Sequence, residues 1–475
     1  MKTSIIYSAL TALTLVAGGC SKMDLQEPTP PDDSNHVSIS FNFAVRASGT
    51  RKTPKLESSD CSQHVTDMRI YVFRSTTGNG DASFTYYRPQ VEGKDGPQDY
   101  FKIGDFNDGL PVYDHTTPDQ TYSINPYLPT GYYRLLAIGR DDDADTAEDN
   151  ISMAWDGNTT WSSAMISTSA PDLSGEIFVG YPLKADYTPA TFHVGEVKSF
   201  SATIDLYRAC SGVLLYVENL PDELVSDFSW NAIRQTTVTD EDGNTEDVDE
   251  TYTIVEQGKT YSVSEIAVVA PGYNNVMNLP MRHWTYDSFI PESHEFTSTK
   301  LVSINMGDIR TNKAEFMDTD GFYAVSERLG SFVLPSQLKG RKLTLNYISD
   351  GEDATEMTYT FTASMYLAFF TEVNGKSYPV KMLPVLDNRQ TPHIPGGPSF
   401  YTPEEIAVEK TQFNLICNNI YCLGDYRAGG DNPGEGYPGG GDPIDDPIDL
   451  KEALNKTELN ITVIGNWQAD VDINL

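Results

Sequence analysis

Apolar and polar residues alternate with a period of two along most of this chain, the signature of strands with one buried face. Val37, Ile39, Phe41, Phe43 and Val45 alternate with small or polar residues in VSISFNFAV. Met68, Ile70 and Val72 repeat the pattern in DMRIYVF. YYRLLAI, from Tyr132 to Ile138, follows a Pro-Thr-Gly turn and predicts a strand buried on both faces. Phe200, Ala202, Ile204 and Leu206 alternate through SFSATIDLYR, and VLLYVENLP follows from Val213 to Pro221. TVT, TYTIVE, YSVSEIAVVA, LTLNYI, MTYTFTA and YPVKMLPV continue the series. Asp242-Gly243 predicts a hairpin with a long acidic tip, Asp240 to Glu250, between Val238 and Thr251. Asp320-Gly321 and Asp350-Gly351 mark further turns. Helical signals are few: Thr402-Pro403-Glu404-Glu405 suits a short helix start. Asp449 with Glu452 suits another, running through Leu454. The expected class is all-β, with sandwiches of many short strands.

Residues 424–449 hold eight Gly and four Pro and predict a linker. Beyond it lies a tail, 457–475, that alternates again: Leu459, Ile461 and Val463, then Trp467, then Val471, Ile473 and Leu475. No fixed-period repeat is present, which disfavours a propeller or solenoid. The Tyr-Pro-rich stretch 181–197 predicts a second boundary. The expected organisation is a β-sandwich domain over 37–195 and a larger one over 196–475.

Residues 1–19 have the build of an export signal. Lys2 is a basic start, Ile5–Val16 is an apolar stretch too short to span a bilayer, and Ala17, Gly18 and Gly19 are small. Cys20 follows at once, so the segment resembles a bacterial lipobox, in which the thiol is acylated and the chain is cut before it. Acyl chains contribute about 0.8 kcal/mol per buried CH₂ and would anchor the protein. Residues 20–36 read as a polar, Pro-rich tether.

The chain has 475 residues and a formal net charge of −35, which argues against nucleic-acid binding and electrostatic adsorption to anionic lipid. Its 39% hydrophobic content suffices for true cores. Besides Cys20, the cysteines are Cys61, Cys210, Cys417 and Cys422. Four cysteines allow three pairings; isolated core thiols are the simpler expectation.

Enzyme signatures are absent: no G-x-S-x-G, H-E-x-x-H or P-loop occurs. The seven His are scattered singly, without ligand spacing. Asp141–Asp145 fails the calcium-loop test, because loop positions six and twelve hold Thr146 and Ser152. A solvated acidic loop or a weak surface Ca²⁺ site remain as alternatives there. No catalytic residue, cofactor or metal is expected. Five Trp and 27 Tyr either pack the sandwiches or form a glycan-stacking platform.

Three features together resemble the Bacteroidales fimbrial lipoproteins, the pilins, anchors and tip subunits of type V pili. The first is Cys20, a short tether and VSISFNFAV. The second is VTDMRIYVF, then LPTGYYRLLAIG, then RACSGVLLYVENLP (Arg208 to Pro221). The third is NNIYCLG, the Gly/Pro/Asp-rich linker and ELNITVIGNW. The resemblance covers most of the chain, and the order of the motifs carries it. It implies two transthyretin-like β-sandwich domains in tandem and a non-enzymatic role as an outer-membrane, surface-exposed subunit. The implied partners are other fimbrial subunits, through strand addition, and a surface receptor.

In polymerising members an Arg-specific protease removes the first strand, and a C-terminal strand of another subunit fills the groove. By that resemblance Val37, Ile39, Phe41, Phe43 and Val45 belong to the removable strand. Arg46 and Arg51 are the candidate cleavage points. Leu459, Ile461, Val463, Trp467, Val471, Ile473 and Leu475 form the candidate donor. Anchor members keep both first strand and lipid. The structural alternatives are an exposed basic loop at Arg46 and Arg51, and a tail that pairs within its own domain. The competing function is a glycan-binding surface lipoprotein of a polysaccharide-uptake system, which predicts a coplanar exposed row of Trp and Tyr. A β-sandwich hydrolase is a third reading, without a nucleophile to support it.

Overall fold

The computed structural model describes residues 34–36, 38–45, 67–91, 94–103, 121–140, 151–173, 175–185, 188–195, 199–240, 242–273, 275–279, 299–336, 342–347, 355–360, 363–373, 375–387, 413–417, 419–427 and 444–464. The chain is all-β, as the alternation predicts. The N-terminal half contributes β1 (Ser34–His36), β2 (Ser38–Val45), β3 (Asp67–Ser75), β4 (Thr121–Ile124), β5 (Pro126–Pro129), β6 (Gly131–Arg140), β7 (Ile177–Gly180) and β8 (Ser199–Arg208). Its main sheet runs β3-β6-β7-β8-β2-β4, with Thr85–Tyr87 outside β3.

Both faces of that sheet are covered, which is why YYRLLAI lacks a polar stripe. Ile70, Val72, Leu135, Ala137, Ile204 and Leu206 pack with Ile39, Leu128 and Phe192 on one face. Tyr71, Phe73, Leu136 and Ile138 face the other way, into a cluster that continues through Trp161 and Met277 to Phe369 and Val385. The two halves therefore share one core.

The second half contributes β9 (Ser211–Pro221), β10 (Glu223–Thr239), β11 (Thr245–Ser262), β12 (Glu265–Ala270), β13 (Thr299–Asn305), β14 (Phe322–Val333), β15 (Tyr366–Val373), β16 (Lys376–Asp387), β17 (Ile420–Leu423) and β18 (Leu459–Ile464). Its main sheet runs β13-β12-β15-β16-β18-β17-β9-β14. The end strands β13 and β14 lie against each other, so the sheet folds over itself. Between them comes α1 (Met306–Lys313), capped by the Asn305 side chain, which accepts from Gly307 N–H at 2.8 Å. This helix escaped the sequence pattern, because only Met306 and Ile309 of its residues are buried.

The chain passes between the two main sheets at Ala209-Cys210. SFSATIDLYR completes the first sheet: β8 pairs with β7 on one side and β2 on the other. At its end Arg208 meets Glu176, Nε to Oε1 at 2.8 Å, with both side chains at most 2% exposed. The approach lies off the N–H direction, so it is an ion pair rather than a hydrogen bond. Further stitches join the halves: Met165–Thr168 pairs with Val276–Asn278, and Leu173 N–H donates to Phe332 O at 2.9 Å.

The two described ends of the Gly/Pro-rich segment lie along one strand edge. β17 lies parallel to β9, from Gly212↔Ile420 to Leu215↔Leu423. Ile448–Asp449 resumes the same edge at Val217 and Glu218. Between them, Asp425–Arg427 pairs with Ile444–Asp446 and closes the neck. Asp449 then caps α2 (Leu450–Ala453) by accepting from Lys451 N–H, the helix that Asp449 and Glu452 predict.

Cys210, Cys417 and Cys422 are buried thiols. Burial, with the Glu176 carboxylate nearby, pushes the Cys210 thiol up to about 12, so it stays protonated. Cys20 and Cys61 lie outside the described residues, as do Asp141–Asp145, Asp350-Gly351 and the helix expected after Thr402.

Gly424 turns the chain away from β9 with φ of +81°, and a Cβ there would sit 2.2 Å from Tyr216 O. Gly424→Ala should therefore destabilise the protein by about 2 kcal/mol or more, read as a lowered urea midpoint at unchanged slope.

Candidate strand-exchange site

The sequence points to the two terminal strands, and the structure seats each of them inside a sheet. β1 pairs antiparallel with β5, from Ser34↔Pro129 to His36↔Tyr127, and β2 pairs antiparallel with β4 in the same register, from Ile39↔Ile124 to Asn42↔Thr121. β1 belongs with β5 to a separate three-stranded sheet, and β2 to the main one. Ser34–His36, expected as the end of the tether, are already strand.

On its other side β2 runs parallel to β8 along its whole length, from Ser38↔Ser199 to Val45↔Leu206. The register sets Phe43 beside Ile204 and Val45 beside Leu206, two fully buried core positions. Ile39 is itself fully buried in that core. A parallel neighbour cannot be joined to β2 by a tight turn. β2 is thus held to β8 by the ladder and packing alone, and a strand from another chain has the same geometric access. Val37, Arg46 and Arg51 lie outside the described residues, so no geometry bears on the cleavage points.

At the other end, β18 occupies the slot between β16 and β17. It is parallel to β16, with Val385↔Leu459 and Asp387↔Ile461. It is antiparallel to β17, with Ile420↔Ile464 and Tyr421↔Val463. Leu459 and Ile461 are each 4% exposed. The first part of the candidate donor is therefore engaged within its own sheet, the intramolecular alternative to a free tail. Trp467, Val471, Ile473 and Leu475 lie outside the described residues.

α2 fixes the approach to this slot. Leu450 and Ala453 are fully buried against the core. Lys451 pairs with Asp318 and lies 3.6 Å from Asp320, in the turn before β14. Lys381 Nζ on β16 donates to Leu454 O. Sequence reasoning found the cap at Asp449 but not Lys451 or Asp318, whose partnership joins segments far apart in the chain.

Trp155 and Trp161 pack inward. Trp161 is buried and Trp155 half-buried, and Trp155 Nε1–H donates to Met165 O at 2.7 Å. Trp155 meets Tyr71 at 65° and Tyr86 at 75°, edge contacts rather than a coplanar row. The side chains of Trp230, Trp284 and Trp467 are not described. Among the described residues no His, Cys, Asp and Glu group has metal-binding geometry.

Two predictions follow from the slot. Removing 459–475 deletes Leu459 and Ile461, two core side chains at about 2–5 kcal/mol each, against a typical total of about 5–15 kcal/mol. That truncation should unfold the second sheet, whereas removing only 465–475 should leave the thermal transition within a few degrees of the parent. Lys451 and neighbouring backbone N–H groups hold the Asp318 carboxyl below its ordinary value. Its stabilising effect is complete above the unfolded carboxylate's pKa, about 3.9, and disappears as pH falls through the lower folded value. Hydrogen exchange at 450–464 should accelerate in that acid window, and Asp318→Asn should abolish the extra acid dependence.

No family model matches the chain, and no curated protein matches it. Among solved structures, it is similar to the fimbrial anchor protein Mfa2 from Porphyromonas gingivalis: 9% identity, 73% of this chain and 100% of that one, TM-score 0.25. It is also similar to the C-terminally truncated tip fimbrial protein Mfa3 from Porphyromonas gingivalis, at 10% identity, 84% of this chain, 97% of that one and TM-score 0.27. A candidate cell adhesion protein from Parabacteroides distasonis gives 8% identity, 91% of this chain, 97% of that one and TM-score 0.32.

Proposed function

We propose that this chain is an adhesive, fimbrial-type surface subunit, tethered to the outer membrane through lipid on Cys20 and assembling by exchange of β strands with other fimbrial subunits. The observation that carries this reading is β2, a strand near the N-terminus laid parallel along β8 and followed by a segment containing Arg46 and Arg51. The ordered motifs from DMRIYVF to ELNITVIGNW support it. Removing β2 would expose the edge of β8 and the apolar core around Ile204 and Leu206, a groove that a second strand closes by backbone pairing and side-chain register. The donor is then Trp467–Leu475, or the whole tail once β18 leaves its slot. The role assigned is structural, with no catalytic step. Neither Trp155 nor Trp161 favours the glycan alternative.

The test is limited digestion of the purified chain with an Arg-specific protease, followed by N-terminal sequencing. A new start at Ala47 or Lys52 is expected, with the β2 fragment co-eluting until a synthetic 457–475 peptide displaces it. Resistance at both arginines, or a β2 fragment that excess peptide never displaces, would count against strand exchange.

A further inference from the structure

A second feature owes nothing to the terminal strands. β10 and β11 are 17 and 18 residues long, well beyond the usual strand of about 3–10 residues. Their ladder is continuous from Glu223↔Ser262 to Thr239↔Thr245 apart from one bulge near Val225. The expected long acidic tip is therefore mostly strand, and the tip proper is Asp240–Asn244. On the far side of β10, Thr355–Thr360 pairs only at Ala232 and Ile233. Beyond Ile233 the two strands have no further strand partner among the described residues for about 20 Å, taking about 3.4 Å per residue. No strand pairs with the outer edge of β11 among the described residues.

This ribbon is built to hold its shape. Arg310 on α1 locks its base: Nε donates to Asp222 Oδ1 at 2.6 Å, and Nη2 donates to Asp222 O, Ser262 Oγ and Val263 O at 2.7–3.0 Å. Tyr323 O–H donates to the same carboxylate at 3.1 Å. At the tip, Asp240 Oδ1 accepts from the N–H groups of Asp242 and Asn244. Thr237 Oγ1 donates to Asp247 Oδ1 across the strands at 2.8 Å. An isolated two-stranded ribbon is marginal in water. Here both ends are fastened, yet Val238 and Val248 remain 52% and 42% exposed.

Charge selects what can lie along that edge. Seven carboxylates fall between 240 and 250, and no Lys or Arg occurs from 235 to 258. Another copy of this chain, at −35, would be repelled. We propose that the outer edge of β11 is a docking edge for a Lys- or Arg-bearing segment of a partner protein, added as a further strand. Backbone pairing along β11 would supply affinity, and cationic side chains beside Glu246 and Asp247 would supply selection.

The competing explanation is that the acidic residues only keep an exposed edge from aggregating. The test uses the full chain and a synthetic strand peptide alternating Lys and Thr, its Glu/Thr counterpart, and a Lys/Thr peptide with alternate amides N-methylated. Fluorescence anisotropy should show binding of the Lys/Thr peptide alone, about tenfold weaker when salt shortens the Debye length from about 10 Å toward 3 Å. Glu246→Lys with Asp247→Lys should cost the Lys/Thr peptide at least about tenfold and admit the Glu/Thr peptide, with the thermal transition unchanged as the control for folding. If that pair unfolds the ribbon, Glu246→Gln alone should still weaken binding. Equal binding of the N-methylated peptide would overturn strand addition. Absence of binding by the parent chain, or self-association of the Lys variant without peptide binding by the parent, would establish edge protection instead.

Discussion

β8 is the strand on which the rest of this molecule depends. On one side it carries β7, and on the other β2. At its last residue it buries an arginine against Glu176, and three residues later the chain is already β9 of the second sheet. A buried ion pair contributes little net stability, but losing one partner leaves an uncompensated charge at a cost of about 3–5 kcal/mol. The pair therefore acts as a geometric constraint. It sits where the first sheet ends and the second begins, beside a core that runs from Tyr71 to Val385 across both sheets.

The two terminal strands solve a similar problem in different ways. β2 is bracketed by β8 and β4, β18 by β16 and β17. Each has one parallel neighbour, so each position is topologically open to a strand of another chain. Their attachments differ. β2 is preceded by β1, which pairs with β5 in a separate sheet. β18 is preceded by α2, which is fastened to the turn before β14 through Lys451 and Asp318. Exchange at the first position needs a broken peptide bond or a withdrawn ribbon. Exchange at the second would need α2 to let go and β18 to leave both of its ladders.

Most of the fold was legible in the sequence. Period-two alternation located β2, β3 and β8, each with a core face, and unbroken apolar runs located β6 and β9; of the long hairpin the pattern marked only TVT and TYTIVE. Asp449 and Glu452 announced α2 through local capping chemistry. What the pattern could not convey was association between distant segments. SFSATIDLYR looks like the start of a second domain, since a Tyr-Pro-rich stretch precedes it, yet its partners are β2 and β7. Residues 424–449 look like a free linker by composition, yet both ends lie along the edge of β9. Leu459 and Ile461 alternate equally well for a donor and for an interior strand, so their place in the chain's own sheet is a tertiary fact. Arg310, which fixes the hairpin, is a single polar residue on a short helix and has no periodic signal.

The parallel pairing of β2 with β8 also has a mechanical meaning. The N-terminal end of β2 leads back toward residue 34, and the C-terminal end of β8 leads straight into the second sheet. In a parallel pair these two ends point in opposite directions. Tension entering near residue 34 and leaving through the second half would thus load the ladder in shear, with all its hydrogen bonds sharing the force at once rather than opening one after another. Rupture then requires a concerted slip, and resistance to pulling is governed by the rate of that slip, not by equilibrium stability. The same strand pair that is open to exchange from the side is the one best placed to bear load along its length.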